Sequence, residues 1–355
     1  MPEDINLGRR RFLGAAAMAF AATSVPMFGS SRRLPVEGDL PDLHGATAWL
    51  NSDPLTRKAL RGQVVLFDIC TYSCINWRRS LPYVRAWNER YKEHGLVVIG
   101  VHSPEFAFEH DVENVKQALD GMKVSYPMAI DNDYAIWNAL SNQFWPALYL
   151  ADAKGHIRYH KFGEGDYEQS EAVIQQLLND AGAHNLGTGL TTVTPTGPEV
   201  VADWADLRSE ENYLGYERTQ NFTSPGGMGT NKLRDYGAPR ELKLNHWTLT
   251  GGWVAEKQAV RLNAPTGSII YRFHARDLHL VMGPETRGTA IRFRVLIDGQ
   301  APGPVHGSDA DEGGEGVVAS PRMYHLIRQS GPIIDRTFQI EFLSSGLKAY
   351  SFTFG

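Results

Sequence analysis

Val64-Val65-Leu66-Phe67-Asp68-Ile69-Cys70-Thr71-Tyr72-Ser73-Cys74-Ile75-Asn76-Trp77 is the stretch on which the reading of this 355-residue chain turns. It opens as an apolar run of strand length over residues 64–69, broken by Asp68, and passes into a segment of helical spacing. Cys70 and Cys74 are the only cysteines in the sequence. Cys74 falls where the helix is predicted to start. A thiol there feels unpaired backbone N–H groups and the positive end of the helix dipole, and both favour the thiolate. An ordinary thiol, with a pKa of about 8.5, is only a few per cent ionised at neutral pH; lowering that value to about 6.5 makes the thiolate the major form. Cys70, at the end of the strand, lacks this help.

Working outward, residues 75–94 carry Trp77, Leu81, Val84 and Tyr91 at helical spacing and end at Gly95. Residues 96–101 predict a second strand, apolar on both faces as parallel strands are. Residues 111–122 predict a helix with Val112, Val115, Ala118 and Leu119 as its apolar stripe, and 126–130 a short strand. Residues 147–150 and 156–160 flank Asp152-Ala153-Lys154-Gly155, a hairpin turn. A last helix is predicted over 167–181. This β-α-β-α-β-β-α order predicts a three-layer α/β domain over residues 35–182. Residues 183–203 are rich in Gly, Thr and Pro, lack periodicity and read as a linker. Beyond them, Ile291, Phe293, Val295 and Ile297 alternate with other residues, as do Phe338, Ile340 and Phe342, and Tyr350, Phe352 and Phe354. Further strands are predicted at 269–274, 278–282 and 323–328. Short alternating strands between turns predict an all-β sandwich or jelly roll over 204–355.

Composition bounds the function. Hydrophobic residues make up 42% and charged residues 21% of the chain, as in ordinary globular proteins. A net charge of −5 supplies no general basic surface, which argues against nucleic-acid binding. Arg9-Arg10-Arg11-Phe12-Leu13 precedes a small, weakly apolar run from Gly14 to Ala22. A twin arginine so placed resembles a twin-arginine (Tat) export signal, here residues 1–31. The mature protein is then expected to be soluble and periplasmic or extracellular, where disulfides persist.

Asp68, Cys74, Pro82 and the distant Trp145-Pro146 together resemble the thioredoxin/redoxin superfamily. The resemblance implies a nucleophilic Cys74, a buried proton relay at Asp68 and a cis proline at Pro146 packed against the catalytic sulfur. It becomes closer in the segments 40–43, 46–51, 71–76, 81–87 and 99–106, which look like the soluble C-terminal half of DipZ-type proteins. Segments 213–218, 271–280 and 335–338 look like the carbohydrate-binding-module-like jelly roll of the same family. Together these likenesses imply an α/β thioredoxin-like domain joined to an all-β jelly-roll or sandwich domain, acting in extracytoplasmic thiol–disulfide exchange. Its partners would be protein or low-molecular-weight thiols and disulfides, with a membrane electron-transfer partner as a further expectation. The membrane half of such proteins has no counterpart in this sequence.

One departure matters. Family members carry Trp at the position of Cys70 and a second cysteine at the position of Trp77. Two-cysteine exchange uses that second thiol to resolve the mixed disulfide with substrate. Three outcomes stay open: Cys74 acts alone as a monothiol, Cys70 replaces the lost partner, or the site is redox-dead and the domain binds peptide or glycan. Thr71-x-x-Cys74 also matches the end of a peroxiredoxin motif, which gives a thiol-peroxidase alternative. Thr71, Trp77 and Trp145 are expected to shape the pocket, with His102, Glu105 and Glu109 lining it from the loop after the second strand.

No dissociable cofactor is implied, and the twelve histidines show no zinc-ligand spacing. The acidic run 308–315 lacks the spaced pattern of a calcium loop. In the β half, Tyr213, Tyr216, Trp247, Trp253, Tyr271 and Tyr324 are candidate aromatic faces for a glycan or peptide.

Overall fold

In the computed structural model, which describes residues 34–355, two short strands, β1 (Gly38–Asp39) and β2 (Ala48–Leu50), precede the decisive strand β3 (Val64–Cys70). The export signal expected at 1–31 lies outside the described residues. Next come α1 (Ile75–Tyr91), β4 (Leu96–His102), α2 (Val112–Gly121), β5 (Met128–Ile130), α3 (Ala135–Ala139), β6 (Ala147–Ala151), β7 (His156–Phe162) and α4 (Tyr167–Asp180). The seven strands form one sheet in the order β1-β7-β6-β3-β4-β5-β2. β3 lies at its centre, parallel to β4 and antiparallel to β6.

All seven residues of β3 are buried, because both faces of the sheet are covered. Val65, Phe67 and Ile69 face a cluster with Ile136 and Trp137 of α3. The alternate positions, Asp68 and Cys70 among them, point to the other side. There α1 and α4 pack on the strands. A 3-10 turn at Lys92–His94 follows α1, and Gly95, at φ 96°, ends it in the left-handed conformation that glycine adopts without a Cβ penalty.

The segment expected to be a linker is docked along the α/β half. One nitrogen of Arg85 on α1, Nη2, donates to both Glu199 carboxylate oxygens at 2.9 and 3.0 Å. Arg90 donates to the Leu186 and Gly189 carbonyls, and buried Glu171 accepts from the Thr191 N–H. Its lack of periodicity reflects a strap held by polar anchors, which leave no apolar repeat.

The second half is all β: β8 (Asn212–Tyr213), β9 (Leu233–Tyr236), β10 (Trp247–Ala255), β11 (Val260–Phe273), β12 (Asp277–Pro284), β13 (Ile291–Ile297), β14 (Glu315–Val318), β15 (Arg322–Arg328), β16 (Arg336–Phe342) and β17 (Leu347–Phe354). All ten strands are linked in one sheet. The fourteen-residue β11 joins them, pairing with β16 along 267–273 and with β17 at 260–261. Trp247, Trp253, Tyr271 and Tyr324 are buried in its core and offer no face to a ligand, which corrects that expectation. Their alternation with polar residues marked the inward side of strands.

Residues Val36–Gly355 form one compact unit. The two halves meet through an apolar cluster of Ile75, Phe106, Ala259, Val281, Met323 and Tyr350. Among the described residues no helix is long and apolar enough to cross a membrane.

Candidate active site

Cys74 is the N-cap of α1, in extended conformation, and is half-buried. Its N–H donates to the Thr71 carbonyl at 3.1 Å, and its carbonyl accepts from Arg78 at 3.0 Å. The sulfur therefore stands at the mouth of the helix, where unpaired amides favour an anion. Neither cysteine is in a disulfide. The Cys74 Sγ lies 3.9 Å from the Trp145 carbonyl oxygen, and the Trp145–Pro146 bond is cis. Trp145 is fixed in turn: its indole donates to the Ser103 carbonyl at 2.9 Å and packs 4.3 Å from the Trp137 ring.

Beneath the thiol loop, Trp77 occupies the place three residues after Cys74 and is fully buried. Its indole N–H donates to Asp68 Oδ2 at 2.9 Å, and the Tyr126 hydroxyl donates to the same oxygen at 3.0 Å. Asp68 Oδ1 is buried without a partner among the described residues. Burial pushes the Asp68 carboxyl up to about 6, against the two hydrogen bonds that lower it. Asp68 is thus a buried acid held by an indole and a phenol. Tyr126 carried no sequence signal for this role, since its place at the start of the strand predicted over 126–130 does not say what its hydroxyl meets.

Cys70 is fully buried at the end of β3, opposite His102 of β4 in the parallel register. Burial, then the Asp68 and Glu109 carboxylates, push its thiol well above the ordinary range. His102 is buried too; burial lowers its imidazole to about 3, so it is neutral, and it stacks on Tyr72. Thr71 is wholly buried beneath the loop.

Glu105, expected in the thiol pocket, is turned towards the β half. It accepts from the Tyr213 hydroxyl at 2.6 Å and pairs with Arg218 at 3.4 Å. A chain position after β4 fixes which end of the sheet a residue occupies, not which way its side chain turns.

Glu109, one of the three loop residues expected to line the pocket, is buried and bonded to the thiol loop. Its Oε1 accepts from the Ser73 N–H at 3.2 Å and the Ser73 hydroxyl at 2.7 Å. Its Oε2 accepts from the Glu105 and Phe106 N–H groups at 2.7 and 2.9 Å. One buried carboxylate thereby ties the loop carrying Cys74 to the loop after β4. Among the described residues no group of three or more His, Cys, Asp or Glu could hold a metal ion. In the acidic run, Asp309 is engaged by Arg322, and Asp311 caps the Glu315 N–H.

The AhpC/TSA family matches residues 38–160, and the "Thioredoxin like C-terminal domain" family matches residues 209–355. Protein DipZ of Mycobacterium tuberculosis is 36% identical over 323 residues, 90% of this chain and 43% of that protein. The α/β half carries a thioredoxin-like domain of the AhpC/TSA kind. Over that half, thiol-disulfide oxidoreductase YkuV of Bacillus subtilis is 28% identical over 140 residues, 39% of this chain and 93% of that one. A solved structure of a thioredoxin-like protein in the oxidised form shares 27% identity over 40% of this chain and 96% of its own, with a TM-score of 0.38. The chain spans less than half the length of the DipZ proteins it matches, 43%.

Proposed function

We propose that the chain is an extracytoplasmic thiol–disulfide oxidoreductase that works through Cys74 alone. The observation that carries this reading is the indole of Trp77 bonded to Asp68 in the place of a resolving thiol, beneath a half-buried Cys74 at a helix start. The Cys74 thiolate attacks one sulfur of a disulfide R–S–S–R′, forming Cys74–S–S–R and releasing R′S⁻. A thiolate from solution, R″S⁻, then attacks sulfur R, forming R–S–S–R″ and returning the Cys74 thiolate. The Trp145 carbonyl beside the sulfur, with Pro146, would receive the backbone of a peptide substrate.

Cys70 is a poor resolving partner, since a buried thiol raised well above its ordinary range is rarely ionised. Asp68, held by Trp77 and Tyr126, would keep the pocket floor rigid and tune the field at the thiol. Export by the twin-arginine segment, and a membrane electron donor of the kind DipZ-type proteins carry in their other half, belong to the same reading. The AhpC/TSA match over 38–160 favours the peroxidase alternative as the second one.

Thiol-coupled reduction of a small aromatic disulfide tests the assignment. The Cys74→Ser variant should lose at least ~100-fold in rate, because no other group can form the covalent intermediate. The Cys70→Ser variant should keep most of its rate. Equal loss in both variants would point to a Cys70–Cys74 couple. Turnover of hydrogen peroxide faster than of the disulfide would favour the peroxidase, and a redox-inert protein would leave peptide or glycan binding.

A further inference from the structure

A cavity of about 360 Å³ opens between the two halves, within the usual range for small-molecule sites. Tyr72, Arg78 and Gln117 line it from the α/β half, and Asp309, Ser320 and Arg322 from the β half. Cys74 does not line it, so it is distinct from the thiol site.

Arg78 is the unusual member. It lies on the first turn of α1, and its Nε is buried with no acceptor among the described residues. The acidic groups near it are already committed. Glu199 is held by Arg85 at 2.9 Å, and Asp309 by Arg322 at 2.7 Å. The Arg78 side chain is half-buried with its Nε out of reach of water, a placement in which a guanidinium gains from an anion bound in the cavity. Burial lowers the Arg78 pKa from its ordinary value, against the opposing pull of the Glu199 and Asp309 carboxylates. Gln117 and Ser320 add neutral donors on opposite walls. A planar fork facing a polar, small-molecule-sized space is suited to a two-pronged bond with an oxyanion.

We propose that this cavity binds a small molecule through a carboxylate or phosphate group held by Arg78. The ligand would bridge the two halves and bind independently of the redox state of Cys74.

Thermal unfolding of the full chain, in a buffer free of polyvalent anions, tests this with inorganic phosphate and with succinate as probes. One of the two should raise the unfolding temperature saturably, by about 2 °C or more once its concentration passes about ten times its dissociation constant. A response to phosphate alone or to succinate alone identifies the headgroup. Phosphate also stabilises proteins without binding, through exclusion from their surface, but that effect is linear and does not need Arg78. Arg78→Gln should therefore lose the saturable part, and Arg78→Lys should weaken it by keeping charge without the fork. In anion-free buffer, Arg78→Gln should melt no lower than the unaltered chain, since it removes no hydrogen bond or ion pair among the described residues. The proposal is overturned by equal responses in the unaltered chain and Arg78→Gln. No saturable response to either probe at about 50 mM would also overturn it. So would an Arg78→Gln variant that melts well below the unaltered chain without anions, because Arg78 would then have a structural partner.

Discussion

Asp68 and Trp77 share one hydrogen bond inside the protein, and its consequences can be measured in stability as well as in catalysis. Burial lifts the Asp68 carboxyl from 3.8 to about 6. Between those values the native protein holds a proton that the unfolded chain has released. Stability contributed by this group is therefore fully present below about pH 4, falls as pH rises to about 6, and is flat above. A shift of that size amounts to about 3 kcal/mol. Asp68→Asn keeps an acceptor for Trp77 and Tyr126 but cannot ionise. Relative to the unaltered chain it should gain up to about 3 kcal/mol between pH 4 and pH 7, on top of a constant offset for its buried amide. Urea midpoints at the two pH values measure this, and a difference that does not change with pH would contradict it. Cys74 was legible from its place between a strand and a helix, and Asp68 and Pro146 only through the family resemblance. Tyr126 was not, and Glu109 was legible only as one of three loop residues expected to line the pocket, because what matters is the direction of a side chain arriving from a distant loop.

Among the elements, the short loop between β3 and α1 depends on Glu109. Four donors from Ser73, Glu105 and Phe106 converge on its two oxygens. Glu109→Gln has one acceptor oxygen and would turn an NH₂ group towards donors that are already buried. Its expected cost is about 3 kcal/mol, with a changed alkylation rate at Cys74. A urea midpoint within about 0.5 kcal/mol of the unaltered chain would show that the loop does not need the charge. The strands and helices themselves were largely readable, since buried parallel strands give unbroken apolar runs and covered helices give stripes. Segment 183–203 reads as a tether in sequence and is a docked strap in the fold. Its anchors are Arg85 and Arg90 on one side and Glu199 and backbone carbonyls on the other, and such contacts leave no period.

Across the whole molecule, the β half covers one side of the thiol loop. The Tyr72 hydroxyl donates to the Pro321 carbonyl at 3.0 Å across 249 residues of sequence. Arg79, fully buried on α1, joins Glu164 at 3.0 Å and the Phe354 carbonyl at 3.2 Å. Residues 36–355 should therefore unfold in one transition, with hydrogen exchange in β3 and in β17 reporting the same opening free energy. Arg79→Ala leaves Glu164 buried without its partner and should cost about 3–5 kcal/mol. Two separate transitions in the unaltered chain would contradict this coupling. The sequence carried the two kinds of fold but not the contacts between the halves, because single long-range contacts of this kind leave no local pattern.

Intact-mass spectrometry of the folded chain after brief exposure to glutathione disulfide tests single-sulfur exchange most directly. The account predicts one glutathione adduct, mapped to Cys74, absent in Cys74→Ser and persistent until an external thiol is added. An internal Cys70–Cys74 bridge in place of the adduct, or no modification until the protein is denatured, would contradict it.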